Sequence, residues 1–332
     1  AGSSFSLMVP SAHFAAGMKL LADNQLHPNM PERAFKVMQQ NAVGTTAGQI
    51  KSPGFLNSQH LNKALYPAGD PVLRYATPKS IAGLTLADVK TYHAQTFRPD
   101  MTTIVIIGDV TPEKARAVAT AAFGSWTASG PKPLTAYPAV VNNKASEFHT
   151  PDATSVQDSV SLSQVIQMGE KDPDRFALYL GNQILGGGFN AHLMQDVRVK
   201  AGLVYGISSH VNLSKHRGIF GISYGSDPDK VKQARALALR DVARMQSMPV
   251  TADELHAAKG KMLRAFALGT SSFGSIAGNF LSLAMQDKPL NADAIAAKKY
   301  LHMNAAQIQD AFKKYIRPDG FVTAVKGPAP KG

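Results

Sequence analysis

The chain has 332 residues, of which 44% are hydrophobic, 17% are charged and none is cysteine. These values indicate a globular chain long enough for two domains, and they exclude disulfide bonds and thiolate metal sites. The formal net charge of +12 is typical of nucleic-acid-binding proteins, but the lysines and arginines are scattered rather than clustered, so we expect no nucleic-acid partner. No apolar run approaches the roughly 18 residues of a membrane-spanning helix.

The first half of the chain predicts helices with two strands. Apolar alternation over Ser4–Val9 and the β-branched run Thr102–Ile107 predict the strands. Helical periodicity, opened by a capping residue or a proline, predicts helices over 13–24, from Pro31 onward, over 56–65, after Thr85 with Asp88 three residues on, and over 111–123. The stretch 127–150 is rich in Pro, Ala, Ser and Asn and predicts a linker.

The second half alternates strands with amphipathic helices. The strands are expected over 157–168, 203–211, 216–223 and 321–325. The helices are expected from Asp172 to Ile184, after Asp227, after Thr251, around 280–281 and 294–297, and over 304–315.

The stretch 185–205 is the most informative part of the sequence. The glycines Gly186, Gly187 and Gly188 follow a helix, and a short helix then carries Arg198 in its last turn. Gly202 is expected to end that helix, because glycine adopts the left-handed conformation without a Cβ clash. Tyr205 follows on a strand. A guanidinium and a phenol would thus point from two elements toward one spot, where both could donate hydrogen bonds to a carbonyl oxygen that gains negative charge.

The two halves also repeat each other. An Arg-Pro-Asp motif follows a capped helix and precedes a glycine-ended strand in both, at an offset of 219 positions: Arg98 and Gly108 in the first, Arg317 and Gly327 in the second. The second copy begins near Gln157, well before the strand in that copy that corresponds to the Ser4 strand of the first. We therefore expect the first copy to lack its first strand and helix.

Several motifs together resemble the pitrilysin, insulinase and mitochondrial processing peptidase family of zinc peptidases. They are Pro78-Lys79-Ser80-Ile81, Phe97-Arg98-Pro99-Asp100, Gly108-Asp109-Val110, Phe123-Gly124-Ser125-Trp126, Leu185-Gly186-Gly187-Gly188-Phe189 and Gly202-Leu203-Val204-Tyr205. The resemblance implies an α+β fold of two homologous αβ domains, each a mostly antiparallel sheet covered by helices. The first domain would be residues 1–135, truncated at its N-terminus, and the second, residues 145–332, would carry the Arg/Tyr pair.

In this family one half carries H-x-x-E-H and a later Glu that bind zinc, and the other half supplies an arginine and a tyrosine that match Arg198 and Tyr205. No two of the ten histidines of this chain lie three to five positions apart. Alignment to the family pattern puts the later ligand at Thr45 or a neighbour, and residues 35–52 contain no Asp or Glu. The sequence therefore predicts no metal site in this chain.

The resemblance implies the non-zinc subunit of a heterodimeric metallopeptidase, which would be inactive alone. Arg198 and Tyr205 would be its catalytic residues, and Gly186, Gly187, Gly188 and Phe189 would contact an unfolded peptide substrate. Zinc would come from a homologous H-x-x-E-H partner. The family also favours the periplasm, although no signal peptide is visible. The alternatives are a non-catalytic scaffold or peptide-binding protein, and a fragment of a single-chain peptidase.

Each of these residues also has an ordinary structural explanation. Arg198 would be a cation favoured by the helix dipole, Tyr205 a strand tyrosine and the three glycines a helix stop. For His192 we expect a polar surface position rather than contact with substrate.

Overall fold

The computed structural model describes residues 3–328, apart from the side chain of Ala267. In chain order its α-helices are α1 Phe14–Leu26, α2 Glu32–Gln49, α3 Pro53–Leu65, α4 Pro78–Ala82, α5 Leu86–Thr96, α6 Pro112–Phe123, α7 Arg175–Gly186, α8 Val231–Ser247, α9 Ala252–Leu268, α10 Phe273–Met285, α11 Ala292–His302 and α12 Ala305–Tyr315. A π-helix covers Met194–Lys200. The strands are β1 Ser146–Pro151, β2 Asp158–Ile166, β3 Val204–Leu213, β4 Gly218–Ser226 and β5 Val322–Gly327.

The described chain divides into two compact units that do not follow chain order. One contains the described part of Ala1–Gly48, together with Ala76–Thr135 and Gly269–Leu290. The other contains Gln49–Tyr75, Ala136–Leu268 and the described part of Asn291–Gly332. The outer ends of the two predicted domains, residues 1–2 and 329–332, lie outside the described residues.

The first unit is helical, and its helices confirm the capping and proline signals. Thr85 begins α5 with a reciprocal capping box, in which its amide donates to the Asp88 carboxylate at 2.7 Å and its hydroxyl accepts from the Asp88 amide at 3.2 Å. Within residues 3–135, however, the structure has no β-strand, so the predictions of strands at Ser4–Val9 and Thr102–Ile107 are wrong. Both segments have strand-like composition, but a strand also needs a neighbour for its backbone hydrogen bonds, and neither segment has one here.

The second unit is built on a five-stranded mixed sheet with the order β1-β5-β2-β4-β3. All neighbouring pairs are antiparallel except β1 and β5, where Ser146 lies beside Val322. The four strands predicted here are confirmed. The linker prediction over 127–150 is wrong at its end, because β1 begins at Ser146.

Helices cover the sheet of the second unit. The main core lies where α7, α8 and α12 pack on the sheet, with Phe220 and Phe312 fully buried and their ring centres 6.2 Å apart. A smaller cluster on β2 and β5 buries Val165 and Val322 with Leu65 of α3. The α+β class is thus confirmed, with the sheet confined to one unit among the described residues.

The sequence repeat is visible in local structure. Helices α5 and α12 have 11 residues each and both begin with a capping box. The arginines that follow them, Arg98 and Arg317, both donate to backbone carbonyls, of Ser129 and Asn143 respectively. The copies diverge after this point, because β5 lies between β1 and β2 whereas residues 102–107 have no such neighbours.

Candidate functional site

The glycine segment begins where α7 meets β3. A methyl group on Gly186 would lie 2.5 Å from the amide nitrogen of Ser209, closer than any side chain tolerates. Asn182, one turn earlier in α7, donates to the Ser209 carbonyl at 3.3 Å. Glycine at 186 therefore allows the end of α7 to lie directly against β3.

Side chains hold the backbone beyond this contact. The amide of Gln183 donates to the Gly187 carbonyl at 2.9 Å, and the amide of Gln195 donates to the Phe189 carbonyl at 2.8 Å. The amide of Ala191 closes a turn onto the Gly188 carbonyl at 3.1 Å. The segment is consequently a defined loop rather than only a break between helices.

The short helix that carries Arg198 is a π-helix, which the sequence pattern did not indicate. Arg198 lies in its last turn, as predicted. Gly202 follows with φ of +65° and donates its amide to the Arg198 carbonyl at 3.0 Å, which confirms the predicted helix stop. Single-turn π segments are frequent at functional sites, since they move one side chain relative to its neighbours.

Tyr205 occupies an irregular position at the start of β3. The register between β3 and β4 shifts between Val204 and Gly206, which leaves Tyr205 as an extra residue. A bulge of this kind redirects a side chain and is common beside active sites. The Tyr205 side chain is 81% exposed, although its neighbour Val204 is buried in the core.

The structure brings Arg198, Tyr205 and Phe189 together. The Arg198 guanidinium carbon lies 4.9 Å from the centre of the Tyr205 ring and 5.7 Å from that of Phe189. Both distances fall within the range of a cation–π interaction. Over residues 3–328 the structure gives this guanidinium no hydrogen bond or ion pair, so its N–H groups are available to an acceptor from outside.

An open cavity of about 590 Å³ adjoins this group. Its lining is uncharged and consists of Gly186, Gly187, Gly188, Phe189, Met194, Gly206, Ile207, Ser208, Ser209 and Ser223. The four predicted peptide contacts thus lie side by side along one cavity.

His192 differs from expectation. Its side chain is only 10% exposed, and Nε2 lies 2.6 Å from a carboxylate oxygen of Glu254 on α9. Burial acts to raise the pKa of Glu254, but hydrogen bonds from the Thr251 amide and from His192 together hold that pKa below its usual value. The prediction of a surface histidine is therefore wrong, because a helix distant in sequence covers the ring.

The residues present do not fit a catalytic zinc ion. Among residues 3–328 there is no group of three or more His, Asp, Glu or Cys side chains close enough to hold a metal. Thr45, at the position of the expected later ligand, lies in α2, whose one acidic residue is Glu32 at its start. A threonine hydroxyl is a poor substitute for a carboxylate ligand of zinc.

Among residues 3–328, no helix has the length and apolar character needed to cross a bilayer.

Comparison with known proteins identifies the family of this fold. Residues 83–262 match the family described as Peptidase M16 inactive domain. A crystal structure of a peptidase M16 inactive domain from Pseudomonas fluorescens has a TM-score of 0.83 and 30% identity, over 95% of this chain and 75% of that one. The periplasmic protease PqqL from Escherichia coli shares the fold, with a TM-score of 0.79 and 20% identity over 96% of this chain and 35% of that one.

A curated relative extends the comparison to zinc proteases. The uncharacterized zinc protease YmxG of Bacillus subtilis is 23% identical over 270 residues, which cover 79% of this chain. The match spans 63% of the length of YmxG, so this chain corresponds to part of such a protein. The resemblance seen in the sequence motifs is confirmed, and the chain belongs to the Peptidase M16 inactive-domain family.

Proposed function

We propose that this chain is the non-zinc subunit of a heterodimeric zinc metallopeptidase. It binds an unfolded peptide and stabilises the tetrahedral intermediate through Arg198 and Tyr205. A homologous partner with H-x-x-E-H supplies the metal. The observation that carries the proposal is the half-buried guanidinium of Arg198, which has no hydrogen-bond or ion-pair partner among residues 3–328 and lies near the Phe189 and Tyr205 rings.

The stacking of Arg198 suits it to bind a carbonyl oxygen. Aromatic rings interact with the face of a guanidinium, whereas its N–H groups lie in its plane and point outward. Where a ring contacts the guanidinium face, it restricts the orientation of Arg198 and leaves these donors free. Since donors fixed in advance need not reorganise during reaction, they favour the state in which the carbonyl oxygen carries most negative charge.

Tyr205 supplies a second donor of a different kind. Its hydroxyl extends from an exposed ring that already contacts Arg198. A phenol and a guanidinium directed at one oxygen would share the developing charge, as in other oxyanion sites. We assign no metal-dependent step to this chain, since its residues do not fit zinc.

The sheet and the cavity support a peptide as the ligand. Strand β3 is the terminal strand of the sheet, so its outer edge is where an extended peptide would add. The cavity beside Gly206 and Ile207 is uncharged, so it suits an apolar or small side chain of an extended peptide.

Reconstitution with a zinc-bearing M16 chain tests the proposal. The mixture should hydrolyse an unstructured polypeptide such as β-casein, and neither chain should do so alone. Arg198→Ala should lower kcat more than about tenfold, which is the scale for loss of one oxyanion donor, and Tyr205→Phe should act in the same direction. Lys232→Met, an exposed substitution on α8, is the control. Unchanged rates in both site variants would refute the catalytic role.

Two alternatives have distinct outcomes in the same experiment. A scaffold or peptide-binding protein would bind labelled β-casein but show no partner-dependent cleavage. A fragment of a single-chain peptidase is consistent with the 63% coverage of YmxG and the 35% coverage of PqqL. In that case the zinc half would precede this sequence in one polypeptide, which the mass of the freshly expressed protein would reveal.

For the compartment we propose the periplasm, on the strength of the family resemblance and of PqqL, which is itself described as periplasmic. Osmotic-shock fractionation of the native cell, with a cytoplasmic marker enzyme, tests this. Recovery with the cytoplasmic marker would contradict it.

A further inference from the structure

Helix α9 contacts the segment 187–192 at two points that the sequence did not indicate. The Lys261 ammonium donates to the Gly187 carbonyl, and Glu254 accepts from His192 at 2.6 Å. Lys261 and Glu254 are seven residues apart, so they lie on the same face of α9, two turns from each other. One helix face therefore holds both ends of the segment between α7 and the π-helix.

We infer that Lys261 and Glu254 are positioning residues for Arg198. Gly187 precedes Phe189 by two residues, and the Phe189 ring is one of the two that flank the Arg198 guanidinium. His192 precedes the π-helix that carries Arg198 by two residues. Displacement of either attachment point would move a neighbour of Arg198 or the helix that bears it.

Gly188 is suited to this arrangement in a specific way. A methyl group on residue 188 would lie 2.8 Å from the Lys261 ammonium nitrogen. Because no ammonium can remain that close to a carbon atom, an alanine here would push Lys261 away from the Gly187 carbonyl. The glycine thus leaves room for the lysine as well as for backbone flexibility.

The two attachments have different strengths. Lys261 is exposed, so its bond to Gly187 is charge-assisted but partly screened by water. The His192 ring is 10% exposed, and its Nδ1 is buried with no hydrogen-bond partner among the described residues. Glu254 is itself fixed by the Thr251 amide, which donates to its other carboxylate oxygen at 2.8 Å. Lys261 is therefore the better residue to substitute without disturbing the fold.

A direct readout of Arg198 tests the inference without reference to activity. In the full chain labelled with ²H and ¹⁵N, the Arg198 Nε–Hε resonance is identified by its loss in Arg198→Lys. Flanking rings should shift it away from the position of exposed arginines. Lys261→Met and Gly188→Ala should both move the Arg198 resonance toward the position of exposed arginines. Lys261→Arg should keep the resonance near its wild-type position, and Lys232→Met should leave it unchanged. A wild-type Arg198 resonance in Lys261→Met and in Glu254→Gln would overturn the inference.

Peptide binding provides a second measurement, and only this one rests on the proposed function. The Kd of fluorescein-labelled β-casein should rise about threefold to tenfold in Lys261→Met, the scale expected for a lost charge-assisted hydrogen bond. If the wild-type chain does not bind labelled β-casein, the proposed function fails, while the resonance still decides the positioning role. If Arg198→Ala raises the Kd and Lys261→Met does not, the positioning role fails instead. Melting temperatures identify any variant that has not folded. If Glu254→Gln is unfolded, the result with Lys261→Met alone decides the inference.

Discussion

The guanidinium of Arg198 lies 4.9 Å from the centre of the Tyr205 ring, although the two residues belong to different secondary structure elements. Two local irregularities produce this contact. The π-helix ends at Lys200, Gly202 reverses the chain with a positive φ, and a bulge at Tyr205 directs the phenol away from the core. The pair is therefore a property of backbone geometry as much as of the seven-residue spacing.

The ring and the hydroxyl of Tyr205 should have separable effects on peptide binding. Tyr205→Phe keeps the ring over Arg198, so the Kd of labelled β-casein should stay within about twofold of wild type. Tyr205→Ala removes a cation–π contact worth about 0.5–1 kcal/mol at an exposed site, so the Kd should rise about twofold to fivefold. Fluorescence polarisation measures both, and an equal Kd in the two variants would show that the ring does not orient Arg198.

Gly186→Ala should destabilise the second unit. The added methyl group would meet backbone atoms of Ser209, which cannot move aside as a flexible side chain can. Overpacking of this kind costs about 1–3 kcal/mol in free energy of unfolding. Gly44→Ala is the matched control, because nothing lies within 4 Å of its added methyl group inside α2. There we expect a gain of up to about 1 kcal/mol from helix propensity. Urea unfolding followed by circular dichroism measures both, and equal stability of the two variants would contradict the close contact.

The helices of this chain were predictable from sequence because their signals are local. The capping signals at Thr85 and Thr251 and the amphipathic periods gave elements close to those observed. Strands depend on distant partners, so the result was mixed. The polar strand β1 was missed because it pairs with β5, whose residue Val322 lies opposite Ser146 far along the chain. Thr102–Ile107 was wrongly assigned as a strand because it has the composition of one but no neighbouring strand to pair with.

The candidate site divides in the same way. Arg198, Tyr205 and the glycines were visible because they lie within one short stretch. Lys261 and Glu254 were not, since they lie 74 and 62 positions after the residues they contact and carry no spacing signal of their own. The burial of His192 depends on that same helix. A single sequence contains no information on which surface lysine reaches which carbonyl.

Asp152 should make the stability of the second unit dependent on acid pH. Hydrogen bonds from Thr154, Lys326 and Ser155 hold the pKa of this carboxyl far below its usual value. A carboxyl with a lowered pKa in the folded state contributes stability above its unfolded pKa of about 3.9, and this contribution is lost as the pH falls below that value.

Asp152→Asn should therefore lower the melting temperature at pH 7, and the difference from wild type should shrink below about pH 4. Asp310→Asn, an exposed substitution on α12, serves as the control and should show no such dependence. Scanning calorimetry across this pH range measures the effect. A difference that stays constant from pH 7 to pH 3 would show that the carboxylate charge does not carry it.

The bulge at Tyr205 has a consequence for chain-length changes in this region. Side chains of a regular strand alternate between its two faces, so every residue inserted or removed exchanges the faces of all that follow. The bulge absorbs one residue, which allows Tyr205 to face solvent while Ile207 still reaches the core. Removal of one residue between Gly202 and Gly206 would eliminate the bulge and straighten the strand. The reach of Arg198 to a phenol is thus encoded in the number of residues here, and a shortened relative could retain both side chains and yet be unable to bring them together.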